Sequence, residues 1–176
     1  ERVSVSGNQR YTQEEIIAAS GIQLGDNLYS LNKVRIGRNI RTTLPYIGEL
    51  TINRALPSTI VIKVTEWEAV AQLAAPSPEQ VAAAQEELNA QDPDAEPIKT
   101  AGEPWLISVG GKLLEPAPAD SGAIPVSGLT PIAPQAGSLL QVPEGERTQM
   151  NALTSLLRAL EEAEMKADVT AIRLES

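Results

Sequence analysis

The first 66 residues change their hydrophobic periodicity in a fixed order, and this order constrains the fold more than any other feature of the chain. Val3 and Val5 alternate with serines before a Gly-Asn pair, which is typical of a short strand that ends in a turn. Two stretches with helical signals follow, and then two stretches with period-two alternation. This order predicts a compact β-α-α-β-β module in which two helices cover one face of a three-stranded sheet.

Both predicted helices carry boundary signals. Thr12 and Glu15 form the Thr-x-x-Glu pattern of a capping box, and Gly21 stands where a left-handed cap would end the first helix. The second helix is predicted from about residue 31 to 43, and Pro45 ends it because the residue before a proline disfavours helical backbone angles. Its predicted apolar stripe consists of Leu31, Val34, Ile40 and Leu44, with Gly37 on the same side.

The end of the module predicts a β-hairpin. Residues 50–54 and 59–66 flank a turn at Leu56-Pro57-Ser58. In the second of these strands Ile60, Ile62 and Val64 fall on one face, because successive side chains of a strand point to opposite sides. We expect this face to be buried against the two helices.

The turns of the module resemble those of one known family. Residues 7–16 read Gly-Asn-x-x-Tyr-Thr-x-Glu-Glu-Ile, and they are followed in order by Ser20-Gly21-Ile22, Gly25-Asp26-Asn27-Leu28, Leu44-Pro45-Tyr46-Ile47 and the stretch from Arg54 to Val64. This set is similar to the POTRA domain of the FtsQ/DivIB cell-division family, in its Gram-positive, DivIB-like branch. The resemblance covers nearly all of residues 1–70 and implies a POTRA domain over residues 1–67.

An acidic, proline-rich stretch over about residues 76–104 interrupts the chain. It holds five prolines and seven acidic residues against a single Lys99. A disordered linker and an insertion with its own helix are both compatible with this composition. Ser77-Pro78-Glu79-Gln80 is a capping box with proline at the first helical position, which favours a helix over about 78–89. The acidic residues lack the spacing of a calcium loop, so we expect a solvated face.

Residues 68–176 predict a second domain. A hairpin is expected over 105–115 around Gly110-Gly111, and a short edge strand over 124–129. A helix is expected from about 146 to 163, and a strand over 167–174. The helix places Met150, Leu153, Leu156, Leu157 and Leu160 on one side.

This second region also resembles the FtsQ/DivIB family, whose β domain follows the POTRA domain. The matching pieces are Glu66–Ala71, the hairpin at Trp105 and the stretch Ile124–Leu129. The family's β domain usually continues through further strands, so the resemblance implies a C-terminally incomplete β domain with an open strand edge. The expected edge for strand addition consists of Val169, Thr170, Ile172 and Leu174, and the region Val3–Ser6 is a second candidate edge.

Composition excludes several classes of function. The chain has no Cys and no His, which removes thiol chemistry, His-centred acid–base catalysis and the usual zinc sites. A net charge of −9 argues against nucleic-acid binding. No catalytic, cofactor-binding or metal-binding residues are expected. No run of about 18 apolar residues occurs, and the chain begins at Glu1, so we expect an excised part of a longer protein.

The one basic cluster lies on the second predicted helix and consists of Lys33, Arg35, Arg38 and Arg41. Residues 1–66 hold eight basic and six acidic residues, a charge of +2, whereas the remainder carries −11. Two interpretations stay open: a solvated helix face, or a contact with anionic lipid headgroups or an acidic partner.

The resemblance implies a non-catalytic, extracytoplasmic scaffold of the bacterial divisome, anchored by an N-terminal transmembrane helix outside this chain. It implies binding to the bitopic FtsL- and DivIC-type partners (FtsB in Gram-negative bacteria) and to septal wall synthases. It also implies location at the division septum and a part in regulating septal wall synthesis. An alternative is a POTRA-type transport or chaperone module of the envelope, which would guide polypeptides by strand addition. A wall-binding or two-carboxylate wall-hydrolysing domain is a third hypothesis.

Overall fold

The computed structural model describes residues 2–23, 25–27, 29–55 and 57–175. The chain is mixed α+β, as predicted, and divides into two compact units, Glu1–Trp67 and Glu68–Ser176. Two of the predicted turn residues, Leu28 and Leu56, lie outside the described residues.

The first unit has the predicted β-α-α-β-β order. Its elements are β1 (Arg2–Ser6), α1 (Gln13–Ser20), α2 (Lys33–Thr43), β2 (Ile47–Ala55) and β3 (Thr59–Glu66). The strand order is β1-β3-β2, with β1 parallel and β2 antiparallel to the central β3. A parallel neighbour requires a crossover connection, and the two helices supply it.

One face of this sheet is covered by both helices. Ile16 of α1 and Ile36 and Ile40 of α2 are buried against Ile60 and Ile62 of β3. The predicted buried face of β3 is confirmed, since Ile60, Ile62 and Val64 are all buried.

The predicted apolar stripe of α2 is wrong at Val34, whose side chain is 73% exposed. The helix begins after its cap Asn32, so Leu31 precedes it, and the buried positions are Ile36, Gly37 and Ile40. Val34 stands two residues before Ile36, about 200° around a helix of 3.6 residues per turn, and therefore faces solvent.

The predicted capping signals of α1 are confirmed. The side chain of Thr12 accepts from the Glu15 N–H, and the Glu15 carboxylate accepts from the Thr12 N–H, so two otherwise unpaired groups are satisfied. Hydrogen bonds from the Thr12 backbone and side chain lower the pKa of the Glu15 carboxyl. Gly21 ends the helix with φ of 70°.

The loop after β1 is held by one carboxylate at the end of β3. Glu66 accepts hydrogen bonds from the backbone N–H groups of Gln9, Arg10 and Tyr11 at 3.1, 2.7 and 3.2 Å. Three successive donors converge on the two oxygens of this side chain, which fixes the path from β1 into α1.

Replacement of Glu66 by Gln is expected to destabilise the first unit by about 1–2 kcal/mol. The amide would turn an NH2 group toward one or more backbone N–H donors and leave them without an acceptor. Urea denaturation of the chain measures the change, with Glu49→Gln, at an exposed position of β2, as the control for the loss of one negative charge. Equal unfolding midpoints for the two variants would contradict this role of Glu66.

Over residues 68–175 the second unit contains five strands and two α-helices. These are β4 (Ala71–Leu73), α3 (Pro78–Gln91), β5 (Trp105–Ile107), β6 (Leu113–Pro116), β7 (Ile124–Ser127), α4 (Arg147–Glu162) and β8 (Ile172–Arg173), with 3-10 turns at Glu144–Glu146 and Lys166–Asp168. The strand order is β6-β5-β4-β7-β8. The predicted hairpin is the β5–β6 pair, and its core packs against Leu153 and Leu157 of α4.

The predicted position of one strand and the predicted burial of one leucine in this unit are wrong. The strand at 124–129 is not at an edge: β7 lies between β4 and β8 and is parallel to both. Its partners are distant in sequence, so no local pattern indicates them. Leu156, predicted on the apolar side of α4, is 41% exposed, because the buried face is centred on Leu153 and Leu157.

The acidic stretch forms an ordered arrangement around α3. Ser77 caps the helix and Pro78 is its first residue. Gln85 of this helix accepts from the backbone N–H of Ile98 at 2.7 Å, and Glu87 accepts from the N–H of Gly145 at 2.9 Å. The extended segment after α3 is therefore hydrogen-bonded back to the unit.

Candidate functional site

The C-terminal strand β8 forms one edge of the five-stranded sheet. Its neighbour is β7, with Val126 opposite Ile172 and Ser127 opposite Arg173. The Leu174 N–H donates to the Ser127 carbonyl at 2.9 Å. Among the strands that the structure describes, none pairs with the other side of β8.

The predicted strand over 167–174 is wrong in its length, since only Ile172 and Arg173 are in strand. Residues 166–168 form a 3-10 turn instead. Pro125 of β7 supplies a reason for the late start. Val126 bonds toward β4, so Pro125 and Ser127 face β8 by alternation. A proline has no N–H, so it cannot donate to a strand residue before Ile172.

The same alternation decides which backbone groups of β8 are open. Because the Leu174 N–H is directed at β7, the backbone of Ile172 is directed there too, and that of Arg173 points to the open side. The Ile172 side chain is buried, and Val169 and Leu174 pack against the same core. Thr170 is exposed and precedes the strand.

The other candidate edge, β1, is partly covered. Arg2 donates to the Ser58 carbonyl, so Arg2, Ser4 and Ser6 bond toward β3 while Val3 and Val5 turn their backbone outward. The side chain of Gln13 donates to the outward Val3 carbonyl at 3.4 Å. One acceptor of this edge is therefore already occupied, which leaves β8 as the more open edge.

The basic cluster lies on the solvent face of α2. Lys33, Arg35, Arg38 and Arg41 are all exposed, and the helix contains no acidic residue. Arg41 donates from its Nε to the Gly48 carbonyl at 3.4 Å. Within the described part of the chain, none of these four cations is within ion-pair distance of a carboxylate.

Exposed apolar side chains accompany these cations. Val34 lies on the same helix and Tyr29, 72% exposed, lies in the loop that leads into it. Arg54 donates to the Tyr29 carbonyl at 3.2 Å, and its guanidinium lies 5.8 Å from the centre of the Tyr29 ring. The sequence predicted Val34 as part of the apolar stripe because it fits a helical period, and no sequence pattern indicated the exposure of Tyr29.

No three or more His, Cys, Asp or Glu side chains are grouped to hold a metal ion within residues 2–23, 25–27, 29–55 and 57–175. In those ranges, no helix is both long and apolar enough to cross a membrane. Two surface features of the described residues remain as candidates, the open strand edge of β8 and the cationic face of α2.

Comparison with known proteins identifies the first unit. Residues 1–67 match the family described as the POTRA domain, FtsQ-type. The cell division protein FtsQ of Corynebacterium glutamicum is 39% identical over 66 residues, covering 38% of this chain and 29% of that protein. The cell division protein DivIB of Geobacillus kaustophilus is 39% identical over 69 residues, 39% of this chain and 26% of that protein. FtsQ of Streptomyces coelicolor is 38% identical over 66 residues, 38% and 25%.

The match confirms the predicted POTRA domain at the N-terminus. The aligned part spans between a quarter and three-tenths of the length of these three relatives. The similarity to these proteins thus concerns the first unit. What is said of the second unit rests on its structure.

Proposed function

We propose that this chain, which carries an FtsQ-type POTRA domain over residues 1–67, is an extracytoplasmic, non-catalytic scaffold of the bacterial divisome. The observation that carries the proposal is the POTRA match, together with relatives that bear the name of cell division proteins. The scaffold is anchored in the cell membrane by an N-terminal helix, acts at the septum and helps regulate septal wall synthesis.

The proposal includes the second unit as an FtsQ/DivIB-type β domain that receives the partners. FtsL- and DivIC/FtsB-type proteins add a strand along β8, where main-chain hydrogen bonds give affinity. Two observations support strand addition at β8. The backbone of Arg173 points outward, and among the described strands β8 pairs with β7 alone. The basic residues of α2 belong to the first unit, and β8 belongs to the second.

The location of the full-length, fluorescently tagged protein in dividing cells tests the role. A ring at the septum is the expected result. Uniform signal around the envelope would contradict the division role and favour the transport or chaperone alternative, which uses the same POTRA fold.

A main-chain substitution tests the partner edge. Arg173→Pro removes one outward N–H, and proline is tolerated on an edge strand where that N–H faces solvent. We expect binding of the extracytoplasmic segments of the cognate FtsL- and DivIC-type proteins, measured by calorimetry, to weaken about tenfold, as the loss of one strand hydrogen bond with its desolvation predicts.

Arg173→Ala is the matched control, because it removes the same side chain and keeps the N–H. Full binding by both variants would rule out strand addition at β8. Hydrogen exchange at the Leu174 amide, which bonds to Ser127, verifies that β8 stays paired with β7 in both variants.

A further inference from the structure

The solvent face of α2 combines positive charge with an apolar side chain in one stripe. Val34, Arg38 and Arg41 are spaced i, i+4 and i+7, so they lie above one another on the helix, and Arg35 is beside them. Val34 leaves 73% of its side chain in water, and Tyr29 before the helix leaves 72%.

The positive charges in the first turn of α2 do not stabilise the helix. Lys33 and Arg35 lie at the positive end of the helix dipole, where acidic residues would be favourable and none is present. With no carboxylate among the described residues close enough to neutralise them, these cations remain available to an anion outside the chain.

We propose that this face of α2 docks on an anionic phospholipid surface. Lys33, Arg35, Arg38 and Arg41 contact lipid phosphates, while Val34 and Tyr29 enter the interfacial layer. The proposal names a lipid contact for the POTRA domain and rests on the membrane anchoring in the proposed function. Tyrosine favours this layer because its ring is apolar and its hydroxyl reaches water.

The shape of the surface favours a lipid layer over an acidic protein. Val34 and its neighbouring cations project from the convex side of a helix, and a protein partner would need a pocket shaped to receive them. A bilayer interface has no such requirement and accepts an amphipathic helix face in its plane.

The net charge of −9 does not prevent this contact. The first unit carries +2 over residues 1–66, so the local charge near α2 is positive while the excess of acidic residues lies in the second unit.

Sedimentation of the chain with lipid vesicles tests the charge contribution. We expect binding to vesicles of equal parts phosphatidylglycerol and phosphatidylcholine, and none to phosphatidylcholine alone. Each Lys or Arg near an anionic leaflet contributes about a fivefold gain, so Arg35→Gln with Arg38→Gln should lower the partition coefficient about 25-fold. Folding of this variant is safe, since both side chains are exposed.

Arg2→Gln with Lys63→Gln is the matched control. It also removes two positive charges from the first unit, but at exposed positions of β1 and β3 away from α2. We expect its partition coefficient to stay within about twofold of that of the unmodified chain, because the lipid-contacting residues of α2 are unchanged. An equal loss in both double variants, or no binding to anionic vesicles at all, would overturn the proposal.

A fluorescent label tests the insertion of Val34. The chain has no Cys, so Val34→Cys gives a unique site for an environment-sensitive NBD probe. We expect a blue shift and increased emission with anionic vesicles, and no change for a probe at Thr65→Cys on β3, which is also exposed. Vesicle binding without a shift at residue 34 would overturn the insertion.

These outcomes are independent of the septal role. A chain that ignores anionic vesicles yet forms a septal ring in cells would refute the lipid contact and leave the scaffold function supported. A chain that binds vesicles through α2 but is distributed uniformly would refute the division role alone.

Discussion

Replacement of Gly128 by alanine is expected to detach β8 from the five-stranded sheet. Gly128 has φ of +105°, and a Cβ at this position would lie 2.1 Å from the carbonyl oxygen of Leu174. Alanine is strained at such a φ by about 1–2 kcal/mol. The atomic overlap adds to this, and either Gly128 or the Leu174 segment must move.

The Leu174 segment is the part that gives way, because only two residue pairs join β8 to β7. Detachment exposes the buried Ile172, whose transfer to water costs about 1.5–3 kcal/mol. We therefore expect the second unit to lose about 2–4 kcal/mol. The Leu174 amide, which donates to Ser127, should lose its protection in hydrogen exchange.

Gly122→Ala is the matched control, since Gly122 also has a positive φ, +66°, but its Cβ would meet no atom within 4 Å. The control should show a loss of about 1 kcal/mol and unchanged exchange at Leu174. Preserved protection of the Leu174 amide in Gly128→Ala would contradict the close approach of these two backbones.

Replacement of Gly7 by alanine is expected to destabilise the first unit strongly. Gly7 has φ of +85°, and a Cβ here would lie 2.1 Å from the Val64 carbonyl oxygen and 3.3 Å from its carbon. Val64 belongs to β3, the central strand, which is held by β1 on one side and β2 on the other. Neither backbone can retreat without breaking the sheet.

The expected loss exceeds about 3 kcal/mol, because strain and overlap act together. A domain of this size has a total stability of roughly 3–10 kcal/mol, so the substitution removes about a third of it at the upper end of that range and all of it at the lower end. Trp67 lies in the first unit and Trp105 in the second, so Trp67 fluorescence in a Trp105→Phe background follows the first unit in urea.

Gly25→Ala separates strain from overlap, since its φ of +99° is comparable and no atom lies within 4 Å of the added Cβ. It should lower the stability by about 1–2 kcal/mol. Equal stability of the Gly7→Ala and Gly25→Ala variants would contradict the close approach of Gly7 to Val64 of β3.

The local elements of the first unit were predictable because their signals are short-range. Thr12 and Glu15 specify a helix start by their own hydrogen bonds, and the alternation around Ile62 specifies a buried strand face. The exposure of Val34 was not predictable with the same rule. Two apolar periods fit the sequence of α2, and only the contacts with β3 select the one centred on Ile36 and Ile40.

Long-range pairing accounts for most of what the sequence did not reveal. β7 is an internal strand because β4 and β8 flank it, and both pairings are parallel and join residues about 50 positions apart. A short strand with Pro125 in it looks like an edge strand by local criteria. Its proline instead faces β8, where it limits that pairing to two residue pairs.

The candidate surfaces were predictable to different degrees. The cations of α2 follow from helical spacing and are exposed as that spacing indicates. The open backbone of Arg173 follows only from the register with Ser127, which no single-strand pattern contains. The edge predicted from the sequence consists of Val169, Thr170, Ile172 and Leu174 and does not include Arg173.

The parallel pairing of β1 with β3 has a mechanical consequence. The two strands run side by side over five residue pairs, from Arg2 opposite Thr59 to Ser6 opposite Lys63. Tension applied between Arg2 and Trp67 therefore pulls the two strands past each other along their length, and the rungs between them share the load in shear instead of opening one at a time. A POTRA domain of this topology can transmit a pull along the chain while its fold stays closed.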